Sequence, residues 1–296
     1  MKRSIHVLLG LLPLFLPSTV LAEENLPAQD SLQTLWQTQE LRVPESVLWY
    51  QQQSKGKTEE LLFVSEIDGQ GSAADGIGGI AVLNTDGSIR HKNWLRGLNA
   101  PKGLAAFAGR LYIADLTELV IVDIASAKVL QKIPAPDSVF LNDVAIDANG
   151  MVYISDTRKN RVYKLEQGQL FSWLDNVEAA NGLKVLDEKL YIAAGDKLLS
   201  IDLADQNKTI NQVAVGFAER ADGLEPIGNG DFLVSCWAGL LYKVSFDGEI
   251  RLLLDTRDAK LNTADIGWDA NSRTLYIPTF FGNSVQAFRL TDAETL

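Results

Sequence analysis

The chain has 296 residues, 46% of them hydrophobic and 22% charged, with a mean hydropathy of +0.01. That balance supports a sizeable core and excludes a disordered, collagen-like or polytopic membrane protein. The 27 basic and 38 acidic residues leave a net charge of −11, which repels phosphate backbones and argues against a nucleic-acid partner. One cysteine excludes a disulfide framework or a metal site built from several thiolates.

In chain order, residues 1–22 read as an export signal. Lys2 and Arg3 open it, Val7 to Leu16 form an apolar run, and Val20-Leu21-Ala22 supplies a small-residue cleavage site. Pro13 and Pro17 interrupt the run, which is shorter than the ~20 residues of a membrane span. The expectation is a periplasmic or secreted protein, cleaved near Ala22 and without stable membrane insertion. No cysteine follows the run, so a lipid anchor is not expected. Cleavage removes Lys2 and Arg3, deepening the net charge from −11 to −13, and leaves His91 as the one histidine. Residues 23–32 read as an N-terminal segment and 33–296 as one domain.

That domain repeats itself at about forty residues. P-E-S-V-L-W (44–49), P-K-G-L-A-A (101–106), L-N-D-V-A-I (141–146), A-N-G-L-K-V (180–185), A-D-G-L-E-P (221–226) and T-A-D-I-G-W (263–268) open six units. Each is followed by an apolar, β-branched or aromatic segment: 61–65, 110–114, 151–155, 189–193, 231–235 and 274–278. A third strand comes next, at 79–83, 119–123, 161–165, 197–201, 240–244 and 284–288. Asp86-Gly87 and Asp247-Gly248 are hairpin turns into a fourth. Six units of four short strands predict an all-β, six-bladed β-propeller rather than a sandwich or β-helix. The sixth unit lacks its own fourth strand, and residues 33–39 are expected to supply it and close the ring.

The first strand of a propeller blade lines the central channel. The second residues of the six openings, Glu45, Lys102, Asn142, Asn181, Asp222 and Ala264, therefore form a ring. Any one of Asn142, Asn181 or Asp222 alone reads as turn chemistry; their shared place in the repeat is what points to a site. Four oxygen-bearing side chains, two of them carboxylates, suit a hard cation such as calcium or magnesium. Lys102 reads as the cation that balances the ring, or as a contact for a substrate carboxylate.

Other features carry less. His91 lies among charges on an outer strand without the G-x-S-x-G context of a triad, and Cys236 reads as buried and structural. The insertion from Asp68 to Gly79 lacks the Lys-Ser/Thr of a phosphate loop and is expected to lie over one face of the channel. Asp115 and Asp156, at the ends of second strands, read as turn caps. Trp49, Trp237, Trp268, Phe280 and Phe281 read mostly as packing, with one or two at a pocket mouth.

The series P-E-S-V-L-W, L-N-D-V-A-I-D-A-N-G-M-V-Y-I-S-D-T, A-N-G-L and A-D-G-L-E-P-I-G-N-G-D-F-L-V-S-C-W resembles the calcium-dependent propeller family of gluconolactonase and senescence marker protein, and more distantly paraoxonase and strictosidine synthase. The resemblance implies that Glu45, Asn181 and Asp222 ligate a divalent metal. Calcium is the first candidate, with zinc, manganese and magnesium as the others. It also implies that Asn142 completes the site or orients a substrate, and that Asp222 is the candidate base. Phe140 stands where gluconolactonase-like members carry an arginine that grips a sugar acid, and no histidine occupies the column. The expected activity is hydrolysis of a lactone or ester more apolar than a sugar lactone, by a monomer. The alternative is an NHL-like propeller that binds a ligand or protein in its channel without chemistry.

Overall fold

A computed structural model describes residues 30–54 and 56–292; the expected export segment lies outside the described residues. The strands form six four-stranded antiparallel sheets. The first comprises β2 (Pro44–Ser54), β3 (Lys57–Glu66), β4 (Gly78–Asn84) and β5 (Ile89–Leu98). The second comprises β6 (Pro101–Phe107), β7 (Arg110–Asp115), β8 (Glu118–Asp123) and β9 (Lys128–Pro134), and the third β10 (Leu141–Ile146), β11 (Val152–Asp156), β12 (Arg161–Glu166) and β13 (Gln169–Asp175). The fourth comprises β14 (Ala180–Leu186), β15 (Lys189–Ala194), β16 (Lys197–Asp202) and β17 (Asn211–Val215), and the fifth β18 (Ala221–Gly228), β19 (Asp231–Cys236), β20 (Leu240–Val244) and β21 (Ile250–Asp255). In the sixth, β22 (Gly267–Asp269), β23 (Thr274–Pro278) and β24 (Val285–Thr291) are completed by β1 (Ser31–Thr38), which pairs antiparallel with β24 from Ser31↔Thr291 to Thr38↔Val285. The expected closure is therefore made, with the strand beginning at Ser31. Without it the edge of β24 would present unpaired backbone groups.

Both faces of each sheet meet a neighbouring blade, which explains why second and third strands read as continuous apolar runs rather than alternating ones. Phe63, Ile80 and Val82 of the first blade pack with Leu104, Leu111, Ile113 and Val120 of the second. Val47, Leu62 and Val64 meet Tyr276, Val285 and Ala287 where the ring closes. Each such buried Val, Leu, Ile or Phe side chain contributes about 1.5–3 kcal/mol. At the predicted Asp86-Gly87 turn, Gly87 has φ +87°, a conformation that disfavours residues with a Cβ. Among the described residues no helix is long and apolar enough to cross a membrane.

The inner strands carry the feature that matters for function. In five blades the ladder between first and second strand slips, between Pro44 and Val47, Pro101 and Leu104, Leu141 and Val144, Ala180 and Leu183, and Ala221 and Leu224. Two residues at each slip leave the regular pairing, and such bulges re-aim side chains. In three blades a buried serine near the end of the second strand accepts the amide hydrogen freed at the bulge: Ser65 from Ser46 (2.9 Å), Ser155 from Asp143 (2.9 Å) and Ser235 from Gly223 (2.8 Å).

Candidate functional site

The bulged pairs are Glu45-Ser46, Lys102-Gly103, Asn142-Asp143, Asn181-Gly182 and Asp222-Gly223, so the predicted column sits where the backbone turns toward the channel. Glu45, Lys102, Asn142, Asn181 and Asp222 line one cavity of about 510 Å³, with Phe140 and Thr157 among the other lining residues. Ala264, the sixth member, is fully buried and contributes no donor. A larger cleft of about 690 Å³, walled by residues of the fourth and fifth blades, contains none of the column residues.

Each polar member is held by identifiable contacts. Asn142 Nδ2 donates to Thr157 Oγ1 (2.9 Å), which in turn donates to the Ala180 carbonyl (2.8 Å). That commits the amide nitrogen and leaves the Asn142 carbonyl oxygen with acceptor capacity. Asn181 is hydrogen-bonded to Asp222, whose carboxyl is nonetheless raised to about 7 by burial and by the charge of Asp265. Burial, then Asp222, push the Glu45 carboxyl well above its ordinary range. Glu45 is 5% exposed, and its Oε2 is buried without a hydrogen-bond partner. Lys102, 1% exposed, donates to the Ala100 carbonyl (2.8 Å) and lies 4.3 Å from the Phe140 ring centroid; burial lowers it to about 8 against the pull of Glu45. Arg158 lies at the same distance from that ring.

These observations test whether a cation fits. Among the described residues no three acidic, histidine or cysteine side chains converge to hold an ion by themselves. The candidate set instead mixes two carboxylates with two carboxamides, an all-oxygen donor set compatible with a hard cation. An orphaned, buried carboxylate oxygen and two mutually repelling acids are what a cation in the cavity would relieve.

A second acidic layer escaped the sequence reading. One position further along the repeat lie Ser46, Gly103, Asp143, Gly182, Gly223 and Asp265, and glycine makes room there for the neighbouring blade. A Cβ on Gly103 would overlap Asp143, and one on Gly223 would overlap Asp265. Asp265 accepts a hydrogen bond from Ser46 Oγ (2.5 Å) and Asp143 one from the Leu183 amide (2.6 Å). Both are buried, and burial raises both above the ordinary carboxylate range. Lys184 and Glu225 pair across two blades at 2.9 Å. Burial opposes the Lys184 charge, but Glu225, Asp143 and Asp265 outweigh it and hold its pKa above the ordinary value. The third-residue column, reading Ser, Gly or Asp, was the available signal.

Cys236 is fully buried and its thiol is pushed up to about 12 by burial, which suits a structural role. His91 sits on β5, the outermost strand of its blade. The insertion borders the cavity at Gly71, and Asp68 at its start pairs with Arg96 (2.5 Å) and Arg42 (3.4 Å). Asp156 is a cap with reach: it accepts from the amides of Val139 (2.8 Å), Phe140 (3.2 Å), Arg158 (3.1 Å) and Lys159 (3.0 Å). Asp156→Ala strands these donors at the loop that presents Phe140, and is expected to cost about 2–4 kcal/mol, read as a lowered melting temperature.

No family model matches the sequence, and no curated protein matches it. Solved structures do. A gluconolactonase from Xanthomonas campestris aligns at TM-score 0.67 and 16% identity, over 90% of this chain and 96% of that one. A virginiamycin B lyase from Staphylococcus aureus, determined with quinupristin, aligns at 0.60 and 13%, over 89% and 100%. A streptogramin B lyase aligns at 0.61 and 11%, over 88% and 98%. At these identities the common property is the overall fold, which in this chain takes the form of a six-bladed propeller.

Proposed function

We propose that the protein is a divalent-metal-dependent hydrolase of a lactone or related ester, working in the channel. The observation that carries this reading is Glu45 Oε2, buried and unpartnered in a cavity that also holds Asp222, Asn142 and Asn181. Glu45, Asn142, Asn181 and Asp222 would hold the cation, calcium first among the candidates. When bound, the cation supplies positive charge to polarise the substrate carbonyl and to keep both carboxylates ionised. Asp222 takes a proton from the attacking water as its oxygen bonds to the carbonyl carbon. The ring C–O bond then breaks, and the proton passes to the departing oxygen to give the hydroxy acid. The Thr157 bond fixes the Asn142 amide, and the Phe140 ring, covered by Lys102 and Arg158, supplies no hydrogen-bonding grip.

The gluconolactonase neighbour favours lactone chemistry. The lyase neighbour is described in a catalytically inactive form that replaces a histidine by alanine, whereas no histidine lines this cavity, which favours hydrolysis over that route. Export, expected from residues 1–22, would place the site where calcium is plentiful.

The test is hydrolysis of acyl lactones and aryl esters by the mature protein, with and without chelator. Turnover that chelation abolishes and calcium restores is expected. Turnover indifferent to chelation removes the metal from the mechanism, and no turnover with retained ligand binding leaves a binding propeller.

A further inference from the structure

The mouth of the cavity is aromatic on one side, and the aromatics come from two blades. Trp237 follows β19 in the fifth blade, and Phe280 and Phe281 follow β23 in the sixth. Trp237 lies edge-on to Phe280 and Phe281, with centroids 5.5 and 5.9 Å apart, and the two phenylalanines are 4.7 Å apart at 89°. Trp237 and Phe280 line the same cavity as Asp222 and Glu45. Yet Trp237 remains 41% and Phe281 63% exposed. Packed aromatic edges are ordinary in a core, but a three-ring cluster left open beside a polar site keeps apolar surface in water at a cost. A bound hydrocarbon group would remove that cost.

We propose that Trp237, Phe280 and Phe281 form a subsite for the hydrocarbon arm of the substrate, an aryl group or a medium-length acyl or alkyl chain, while the carbonyl faces Asp222. This rests on the hydrolase reading for the carbonyl, but the subsite stands on its own geometry. The cavity is continuous from the carboxylates to Trp237 and Phe280, with Phe281 packed against both, so one molecule can span the two ends. The polar part of such a molecule reaches Asn142 and Asn181, and the apolar part lies against the indole. Flat rings suit the indole face, and a chain can lie along the edges of the phenylalanines.

Two measurements separate the subsite from the chemistry. In the first, kcat/KM is compared for δ-valerolactone and δ-decalactone, which share a ring and differ by a pentyl tail. A tail half removed from water is worth roughly 30-fold, so wild type is expected to prefer δ-decalactone by about that factor. The ratio is expected to fall to within about threefold of unity in Phe281→Ala combined with Trp237→Ala. In the second, which needs no turnover, ω-bromodecanoate is titrated against indole fluorescence. Saturable quenching is expected in wild type and its loss in Trp237→Phe, which keeps an apolar ring and leaves the other five of the 6 tryptophans as control. Matching circular dichroism and melting temperatures establish that the variants fold.

Quenching without hydrolysis of either lactone supports the subsite and removes the hydrolase reading. Hydrolysis of both lactones at equal efficiency, with no saturable quenching, overturns the subsite and leaves the hydrolase. Sedimentation with phosphatidylcholine vesicles that Phe281→Ala abolishes, with neither quenching nor tail preference, also overturns it and assigns the aromatic mouth to a lipid surface.

Discussion

Asp222→Asn is expected to lower kcat/KM for lactones by about three orders of magnitude and, in the metal-free protein, to raise the melting temperature. The first effect follows from removing a general base, worth roughly 10²–10⁴-fold, together with one charged oxygen donor to the cation. The second follows from the cost of the charge. Burial and Asp265 raise the Asp222 carboxyl from an ordinary 3.8 to about 7. Without a cation, ionising it at pH 8 therefore costs about 4 kcal/mol relative to the unfolded chain. Asparagine keeps the shape and the partner Asn181 without the charge. At about 2–4 °C per kcal/mol for a domain of this size, a gain of several degrees is expected in chelator. Glu45→Gln should move in the same direction, because its carboxyl is raised by burial and by Asp222 itself. Calorimetry of both variants in chelator, alongside the lactone assay, checks the pair of effects. A lowered melting temperature in Asp222→Asn would mean that the protein's own groups already compensate the charge; unchanged hydrolysis would remove Asp222 as the base.

The architecture was legible because a propeller repeats the same physical problem six times. Every blade must bury two faces, turn tightly and start again, so apolar runs recur at 61–65, 110–114 and onward in step with turn residues. The channel column was legible for the same reason: Glu45, Asn142, Asn181 and Asp222 share a repeat position, and the bulge in each inner strand turns that position toward the cavity. The bulge itself was half visible, in the serines that end the segments 61–65, 151–155 and 231–235.

What stayed hidden depends on contacts between blades rather than on repetition within them. Lys184 and Glu225 are single charges inside strands β14 and β18, and only the adjacency of two blades makes them a pair at 2.9 Å. Asp143 and Asp265 share their column with Gly103, Gly182 and Gly223, and the pairs Asn181-Gly182 and Asp222-Gly223 read as turns until Gly103 and Gly223 are seen making room for the two acids. The aromatic mouth is assembled from the ends of β19 and β23, about forty residues apart, so no local window contains it.

The acidic channel also predicts an unusual pH profile for the metal-free protein. A carboxyl raised to about 7 holds a proton in the folded state that the unfolded chain releases near its ordinary 3.8. Its contribution is therefore fully present below about 4 and is lost as pH rises through about 7, at up to ~1.4 kcal/mol per pH unit and proton. Glu45, Asp143 and Asp265 are raised by burial and act with the same sign. Lys102 acts on the other side. Burial lowers it to about 8, so its charge penalises the folded state below that pH and is relieved as the amine becomes neutral above it. Stability in chelator should thus fall from about pH 5 as pH rises through about 7, with the relief of Lys102 opposing the fall above about pH 8. Calcium at a hundred times its dissociation constant adds about 2.7 kcal/mol. Because it competes with protons for Glu45 and Asp222, its effect on the melting temperature should be small near pH 5 and largest near pH 8. Differential scanning calorimetry across that range, with chelator and with millimolar calcium, reads both curves. Stability that rises steadily from pH 5 to 8 in chelator, with a calcium shift independent of pH, would mean that Glu45 and Asp222 neither carry the buried charge nor meet the ion.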